Sequence, residues 1–178
     1  MKRILITLPL VLCFITGCHH KATKTELDEL KAQLEIEEQN KAKYKLLLAE
    51  GDKMNFAVVD DLCSPDLQYF FPSNSQQPFD LAQFKEFWKS ILMAFPDLNH
   101  TIEEVYAIQD IVVTREVVRG THKGMFMGLN GTDKKIEIGA VKISRWIDGK
   151  IIELRDEADM VTLYQQIGFE LKIQEENE

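Results

Sequence analysis

The sequence is poor in positive charge. Its 178 residues include 21 lysines and arginines against 29 aspartates and glutamates, which gives a formal net charge of −8 at pH 7. A chain with this balance is repelled by phosphate groups and lacks the basic footprint that nucleic acids and anionic lipid surfaces require. The composition therefore argues against nucleic acid as a partner.

The sequence also lacks a long apolar run. A run from Ile4 to Ile15 is too short to cross a bilayer comfortably as a mature helix. It follows two basic residues and precedes Gly17 and Cys18, which is the arrangement of a secretion signal. Residues 15–18 resemble a bacterial lipobox, in which cleavage leaves the cysteine as the lipidated first residue. We therefore expect residues 1–17 to be a lipoprotein signal peptide; a plain signal peptide or an uncleaved anchor is the alternative.

Lipidation of Cys18 would anchor an exported protein to a membrane of the bacterial cell envelope, facing the periplasm. The sequence has only three cysteines, and Cys13 would leave with the signal. Cys63 then has no intramolecular partner, so a disulfide framework is excluded. We expect Cys63 to be buried as a small apolar side chain, with a reactive thiol as the alternative.

The segment after the predicted anchor is charged and typical of a helix. Thr23 and Glu26 have the spacing of a capping box. A heptad-like leucine stripe is interrupted at Glu37 and Lys41, which disfavours a dimeric coiled coil. We interpret residues 18–40 as a tether or helical leash, residues 41–172 as one domain and residues 173–178 as an acidic tail.

Within the domain, helices come first and strands follow. The first helix is expected to break at Gly51, and a third begins after Asp80. Beyond Pro96 the apolar period changes to two, which predicts a meander of antiparallel strands. This order indicates an α+β fold, with helices packed on one face of a curved sheet that encloses a pocket. The predicted elements after the first helix are helices at 55–63, 81–95 and 160–167, an extended segment at 67–71, and strands at 101–108, 111–122, 135–147 and 150–159.

The last predicted strand contains an unexpected carboxylate. Asp156 falls on the same face as Ile152, Leu154 and Ala158, because side chains alternate along a strand. A strict two-residue turn at Asp148-Gly149 would place Val141 opposite Asp156. A three-residue turn with a glycine bulge places Lys142 there and pairs Ser144 with Leu154 and Trp146 with Ile152. We favour the bulged turn because it keeps the apolar residues together.

Two interpretations of Asp156 and Lys142 remain open at this point. They can form a structural ion pair in which each charge offsets the desolvation of the other. Alternatively, Asp156 is a pocket carboxyl whose pKa is raised by burial and lowered by the lysine. In the second case Lys142 can stabilise an enolate or another developing anion.

Several short motifs occur in an order that resembles a known family. The matching segments are Phe84-Lys85, Phe95 to Leu98, Gly120 to Gly124, Met127 to Leu129, Asp148 to Ile151 and Leu163 to Gly168, with Glu50 to Asp52 and Ser64 to Asp66 upstream. Together they resemble the SnoaL-like polyketide cyclases, or ester cyclases, of the NTF2-like superfamily. The resemblance implies a cone-shaped α+β barrel with a pocket between the sheet and its helices.

The resemblance also implies a chemistry. In the cyclases, an aspartate in the strand after the Asp-Gly turn is the general acid/base of an intramolecular aldol closure that needs no metal or cofactor. Asp156 is the equivalent residue here. Lys142 aligns with a pocket histidine of the family, and Tyr69 falls near a family asparagine. His122 occupies a position common to relatives, where we favour a structural or rim role.

Two functional hypotheses follow. The first is an envelope lipoprotein that binds a small, mostly apolar molecule and performs acid/base chemistry through Asp156 and Lys142. The second is a non-catalytic binding or assembly module in which these residues only hold the sheet together. We expect no metal and no cofactor, and a homodimer is expected by analogy with the superfamily. The predicted pocket residues are Tyr69, Trp88, His122, Ser144 and Trp146.

Overall fold

The computed structural model describes residues 23–170. Helix α1 (Lys24–Gly51) begins at the predicted capping box, because the Thr23 hydroxyl accepts a hydrogen bond from the Glu26 amide and the Glu26 carboxylate accepts one from the Thr23 amide. The helix runs through residue 40 without interruption, and its buried residues start at Asn40. Residues 24–32 of the helix are therefore exposed to solvent, and three of its leucines are exposed: Leu27, Leu30 and Leu34. Cys18 and the predicted signal lie outside the described residues.

The other helices and strands follow the predicted order. Helix α3 starts with a capping box between Asp80 and Gln83, and α4 ends at Gly168, whose φ of 115° is the left-handed conformation that favours glycine. No helix within residues 23–170 is long and apolar enough to cross a membrane. The elements after α1 are α2 (Phe56–Leu62), β1 (Cys63–Phe70), α3 (Leu81–Ala94), β2 (Asn99–Ile108), β3 (Ile111–Thr121), β4 (Lys135–Ile147), β5 (Lys150–Ala158) and α4 (Met160–Ile167).

The strands form one curved five-stranded sheet in the order β1-β5-β4-β3-β2. Strands β2 to β5 are antiparallel neighbours, as predicted, whereas β1 pairs in parallel with β5 and places Tyr69 beside Leu154. Helices α1, α3 and α4 pack against the sheet, so the α+β prediction is confirmed. Most of the predicted extended segment at 67–71 belongs to β1, which starts earlier than predicted and extends the sheet beyond the meander.

The β4–β5 hairpin pairs Lys142 with Asp156, as predicted, but by a different route. Asp148 (φ 50°) and Gly149 (φ 72°) form a two-residue turn, and the predicted three-residue turn is wrong. The register instead shifts by one residue within the hairpin, after the turn. Trp146 pairs with Ile151, but the next residue of β4, Arg145, pairs with Glu153. Ile152 is thus the bulged residue, and Ile151 rather than Ile152 is buried in the core.

Burial explains the state of Cys63, the first residue of β1. Its side chain is fully buried, and this raises the pKa of its thiol to about 12. The thiol therefore stays protonated at neutral pH, and it packs as a small apolar group.

Candidate functional site

A cavity of about 380 Å³ lies between the inner face of the sheet and the helices. Most of its wall is apolar, and α3 contributes a row of aromatic side chains that includes Phe84, Phe87 and Trp88. Pockets of this size and character bind drug-sized organic molecules. Seven side chains with polar groups line it: Tyr44, Tyr69, Trp88, His100, Lys142, Asp156 and Tyr164.

The Lys142 ammonium on β4 has two carboxylate neighbours. It lies 2.9 Å from Oε2 of Glu116 and 3.8 Å from Oδ2 of Asp156, so Glu116 is its principal partner. The contact with Glu116 is an ion pair without good hydrogen-bond alignment. The other oxygen of Glu116 accepts hydrogen bonds from the hydroxyls of Thr114 (2.6 Å) and Tyr44 (2.9 Å). Three groups therefore hold this fully buried carboxylate as an anion.

The pKa values of the ion pair show which protonation state each partner prefers. Burial alone would raise the pKa of Glu116, but attraction to Lys142 and the Thr114 hydrogen bond lower it below its ordinary value. Burial alone would lower the pKa of Lys142, but its two carboxylate neighbours raise it. The pair is thus a matched anion and cation, of which Lys142 lines the cavity and Glu116 does not.

Asp156 differs from Glu116 in both its contacts and its pKa. The Tyr69 hydroxyl donates a hydrogen bond of 3.1 Å to Oδ2, while Oδ1 has no hydrogen-bond partner within residues 23–170. Burial raises the pKa of this carboxyl above its usual range, and the attraction of Lys142 offsets only part of that rise. A cavity carboxyl with a raised pKa is suited to exchanging a proton with a ligand.

A second polar group enters the cavity from the start of β2. The ring of His100 lines the wall, and its Nδ1 lies 2.8 Å from Oδ1 of Asp52. The other oxygen of Asp52 accepts the backbone N–H of His100 at 2.9 Å. Asp52 is the residue that caps the C-terminal end of α1, so this contact also ties that helix to the sheet.

The sequence reasoning missed Glu116 and His100. Glu116 shares the inner face of β3 with Val112 and Val118, and the period-two pattern could have revealed it as it revealed Asp156. His100 fell just outside the predicted strand. The sequence offers no local signal that pairs it with Asp52, which lies in a different element.

The structure brings four of the predicted site residues to the cavity: Tyr69, Trp88, Lys142 and Asp156. The other three do not line it. His122 is buried against Phe95, with its Nδ1 lying 3.1 Å from the Thr132 hydroxyl.

Ser144 and Trp146 lie further along β4 than the cavity extends. The Trp146 indole donates a hydrogen bond to the Ser144 hydroxyl, which donates in turn to the Val112 carbonyl. Trp146 also lines a separate cleft beside Gln33 and Asn40 of α1. Their placement in the pocket was wrong because β4 has 13 residues, more than the cavity spans.

Metal ligands are not grouped in the described part of the chain. Within residues 23–170, no cluster of three or more histidine, cysteine, aspartate or glutamate side chains could hold a metal ion.

Comparison with known proteins places this geometry in a family. The family model described as SnoaL-like polyketide cyclase matches residues 41–167, which include every residue of the cavity wall. The chain belongs to the SnoaL-like polyketide cyclase family. A comparison with curated proteins found no match.

Several solved structures share the fold. AclR from Streptomyces galilaeus, provisionally described as a hydroxylase, is 26% identical with a TM-score of 0.68, and the alignment covers 74% of this chain and 97% of AclR. IdmH from Streptomyces antibioticus, provisionally described as a polyketide cyclase, is 27% identical with a TM-score of 0.66 and coverages of 74% and 99%. A SnoaL-like protein from Jannaschia sp. CCS1 is 24% identical with a TM-score of 0.69 and coverages of 74% and 93%. The predicted NTF2-like fold is therefore confirmed.

Proposed function

We propose that the SnoaL-like domain binds a small, mostly apolar molecule and that Asp156 is its general acid/base in a ring closure or isomerisation without a cofactor. One observation carries the proposal: Asp156 lies on the wall of the apolar cavity with one carboxylate oxygen unpaired and a raised pKa. A proton-transfer group needs access to a ligand and a pKa shifted toward the working pH.

The alternative is a non-catalytic module in which Lys142 and Asp156 form a purely structural pair. The distances disfavour it, because Lys142 lies closer to Glu116 than to Asp156. A purely structural pair would also be covered by other side chains, whereas both Lys142 and Asp156 line the cavity.

Lys142 and Tyr69 support the proposed chemistry from the same wall. The ammonium can stabilise negative charge that develops on a ligand oxygen, since its own counter-ion, Glu116, lies behind it. The Tyr69 hydroxyl fixes one oxygen of Asp156. Burial raises the pKa of Tyr69 well above its ordinary value, so the hydroxyl remains a donor.

The experiment uses β-tetralone, a neutral aryl ketone with enolisable protons. Mature protein in deuterium oxide is expected to accelerate deuterium uptake by the ketone, followed by mass spectrometry. Asp156→Asn should reduce this exchange by about 10²–10⁴-fold, the typical contribution of a general acid/base, while the ketone still binds, as measured by tryptophan fluorescence. The control is Asp133→Asn, the same change at an exposed residue outside the cavity. Full exchange activity in Asp156→Asn would refute the assigned role.

We also propose that the domain is carried on an exported lipoprotein of the bacterial cell envelope. The apolar run and the lipobox-like residues 15–18 support this location. When cells are labelled with a radioactive fatty acid, the protein should become labelled, and Cys18→Ser should abolish the label. Unchanged labelling of that variant would show that the lipid is attached elsewhere.

A homodimer that forms through the outer face of the sheet fits the exposed side chains. Apolar residues of β2 and β4, the two strands on either side of β3, remain exposed there, including Tyr106, Val141 and Ile143. Val141→Lys should shift the protein toward the monomer in light scattering, because burying an unpaired charge at an interface is unfavourable. A wild-type protein that is monomeric at high concentration would contradict this assembly.

A further inference from the structure

His100 is a polar group of the cavity that the proposed role of Asp156 leaves unused. Its ring lies on the cavity wall at about a right angle to the Trp88 ring, with 6.2 Å between the ring centroids. Only about a tenth of its side chain is exposed, and the Asp52 side chain is more deeply buried. The histidine is therefore held in one place, and not free to rotate as a surface side chain would be.

The contacts of Asp52 determine which ring nitrogen of His100 carries the proton. Both oxygens of the carboxylate accept hydrogen bonds from His100, one from the backbone N–H and one from Nδ1. A carboxylate can only accept, so Nδ1 must be the protonated nitrogen. In the neutral ring, Nε2 then keeps its lone pair, and Nε2 has no hydrogen-bond partner among residues 23–170.

We infer that His100, oriented by Asp52, is a second proton-transfer group of this cavity and acts together with Asp156. This inference rests on the proposed function, because it assigns the partner for the chemistry of Asp156. A ligand that fills the cavity contacts both side chains, since both line it.

His100 and Asp156 have separate roles in a ring closure of the proposed kind, and the atoms and electrons of this reaction balance. Nε2 of His100 takes a proton from the carbon next to one carbonyl, while the Asp156 carboxyl donates a hydrogen bond to the oxygen of that carbonyl. The electrons of the C–H bond form an enolate. The enolate carbon attacks the second carbonyl and forms the new C–C bond. The oxygen of that carbonyl accepts the π electrons and takes a proton from the Asp156 carboxyl. Solvent then returns the proton from His100 to Asp156, so the reaction is an isomerisation without any net oxidation or reduction.

Two substitutions separate the chemistry of His100 from its structural contact. His100→Asn keeps a donor near the position of Nδ1, where Asp52 accepts, and removes Nε2. His100→Gln keeps a polar atom near Nε2 but cannot take a proton at neutral pH. Both variants should lose deuterium exchange into β-tetralone by about 10²–10⁴-fold, while tryptophan fluorescence shows that the ketone still binds.

The outcomes distinguish this inference from the proposed function. Exchange at the wild-type rate in both His100 variants, with loss in Asp156→Asn, overturns the role of His100 and leaves that of Asp156. A wild-type protein that binds the ketone without exchanging its protons overturns both roles.

Asp52 is a positioning residue. Its test measures directly which ring nitrogen of His100 carries the proton. Nitrogen NMR of the wild-type protein should show His100 protonated at Nδ1, and Asp52→Asn should produce a mixture of the two neutral forms. Protonation at Nε2 in the wild type would overturn the inference whatever the exchange rates are.

Discussion

Replacing Lys142 with methionine should lower the free energy of unfolding by about 3–5 kcal/mol, because it leaves a buried charge without its counter-ion. Glu116 is fully buried, and within residues 23–170 Lys142 is the cation in ion-pair contact with it. The hydroxyls of Thr114 and Tyr44 satisfy only one of its two oxygens. Methionine has a similar length to lysine, so the fall in the free energy of unfolding comes mainly from the lost charge and not from lost packing.

Urea unfolding of a small set of variants can measure this effect. Lys142→Met combined with Glu116→Gln should recover much of the lost stability, because the double variant no longer buries an unpaired charge. Lys123→Met is the matched control, since it breaks an exposed pair with Asp133 and should change stability little. If Lys142→Met proved as stable as the wild type, Glu116 would have to be protonated in the folded protein.

The hairpin shows how much of the site the sequence could predict. The apolar pattern correctly placed Asp156 inside and opposite Lys142, because a register that buries apolar residues is strongly preferred. The apolar pattern could not distinguish a three-residue bulged turn from a two-residue turn followed by a bulge at Ile152. Both arrangements insert one extra residue between the turn and Asp156, so both pair Asp156 with Lys142. The pattern therefore determined the partners but not the local path of the chain.

The polar groups around the pair depend on contacts between distant elements. Tyr44 reaches Glu116 across 72 residues of sequence, and His100 reaches Asp52 across 48. Side-chain periodicity assigns a residue to a face of its own strand or helix, but it does not say which residue of another element meets it. For the same reason, Ser144 and Trp146 were placed on the correct inner face of β4 and at the wrong end of the cavity.

Asp156→Asn should stabilise the protein at neutral pH by about 0.5–2 kcal/mol while it removes the proposed acid/base, which is the trade-off expected of an active-site residue. Burial makes the charged form of Asp156 unfavourable, and this raises its pKa in the folded protein. Asparagine has a similar shape and no charge, so it avoids that cost. Its amide oxygen can still accept the hydrogen bond from Tyr69.

The gain in stability should depend on pH in a defined direction. The pKa of Asp156 in the folded state lies above the unfolded value of about 3.9. Above the folded-state pKa, both states of the wild type are charged and the cost of burial is present in full. As the pH falls through that pKa, the folded wild type takes up a proton first and gains stability relative to the unfolded state. The advantage of Asp156→Asn should therefore be largest above the folded-state pKa and should shrink as the pH falls from that pKa toward the unfolded value.

Thermal unfolding of wild type and Asp156→Asn across this pH range tests the prediction. Asp133→Asn provides the baseline. The hydrogen bond from Lys123 lowers the pKa of the Asp133 carboxyl, so this carboxyl stabilises the folded protein at neutral pH, whereas the Asp156 charge destabilises it. Loss of the Asp133 contribution should begin only as the pH falls toward the unfolded pKa. If Asp156→Asn were instead less stable than the wild type at neutral pH, its attraction to Lys142 would outweigh the cost of burial. Asp156 would then be a structural anion, and the proposed role in proton transfer would lose its physical basis.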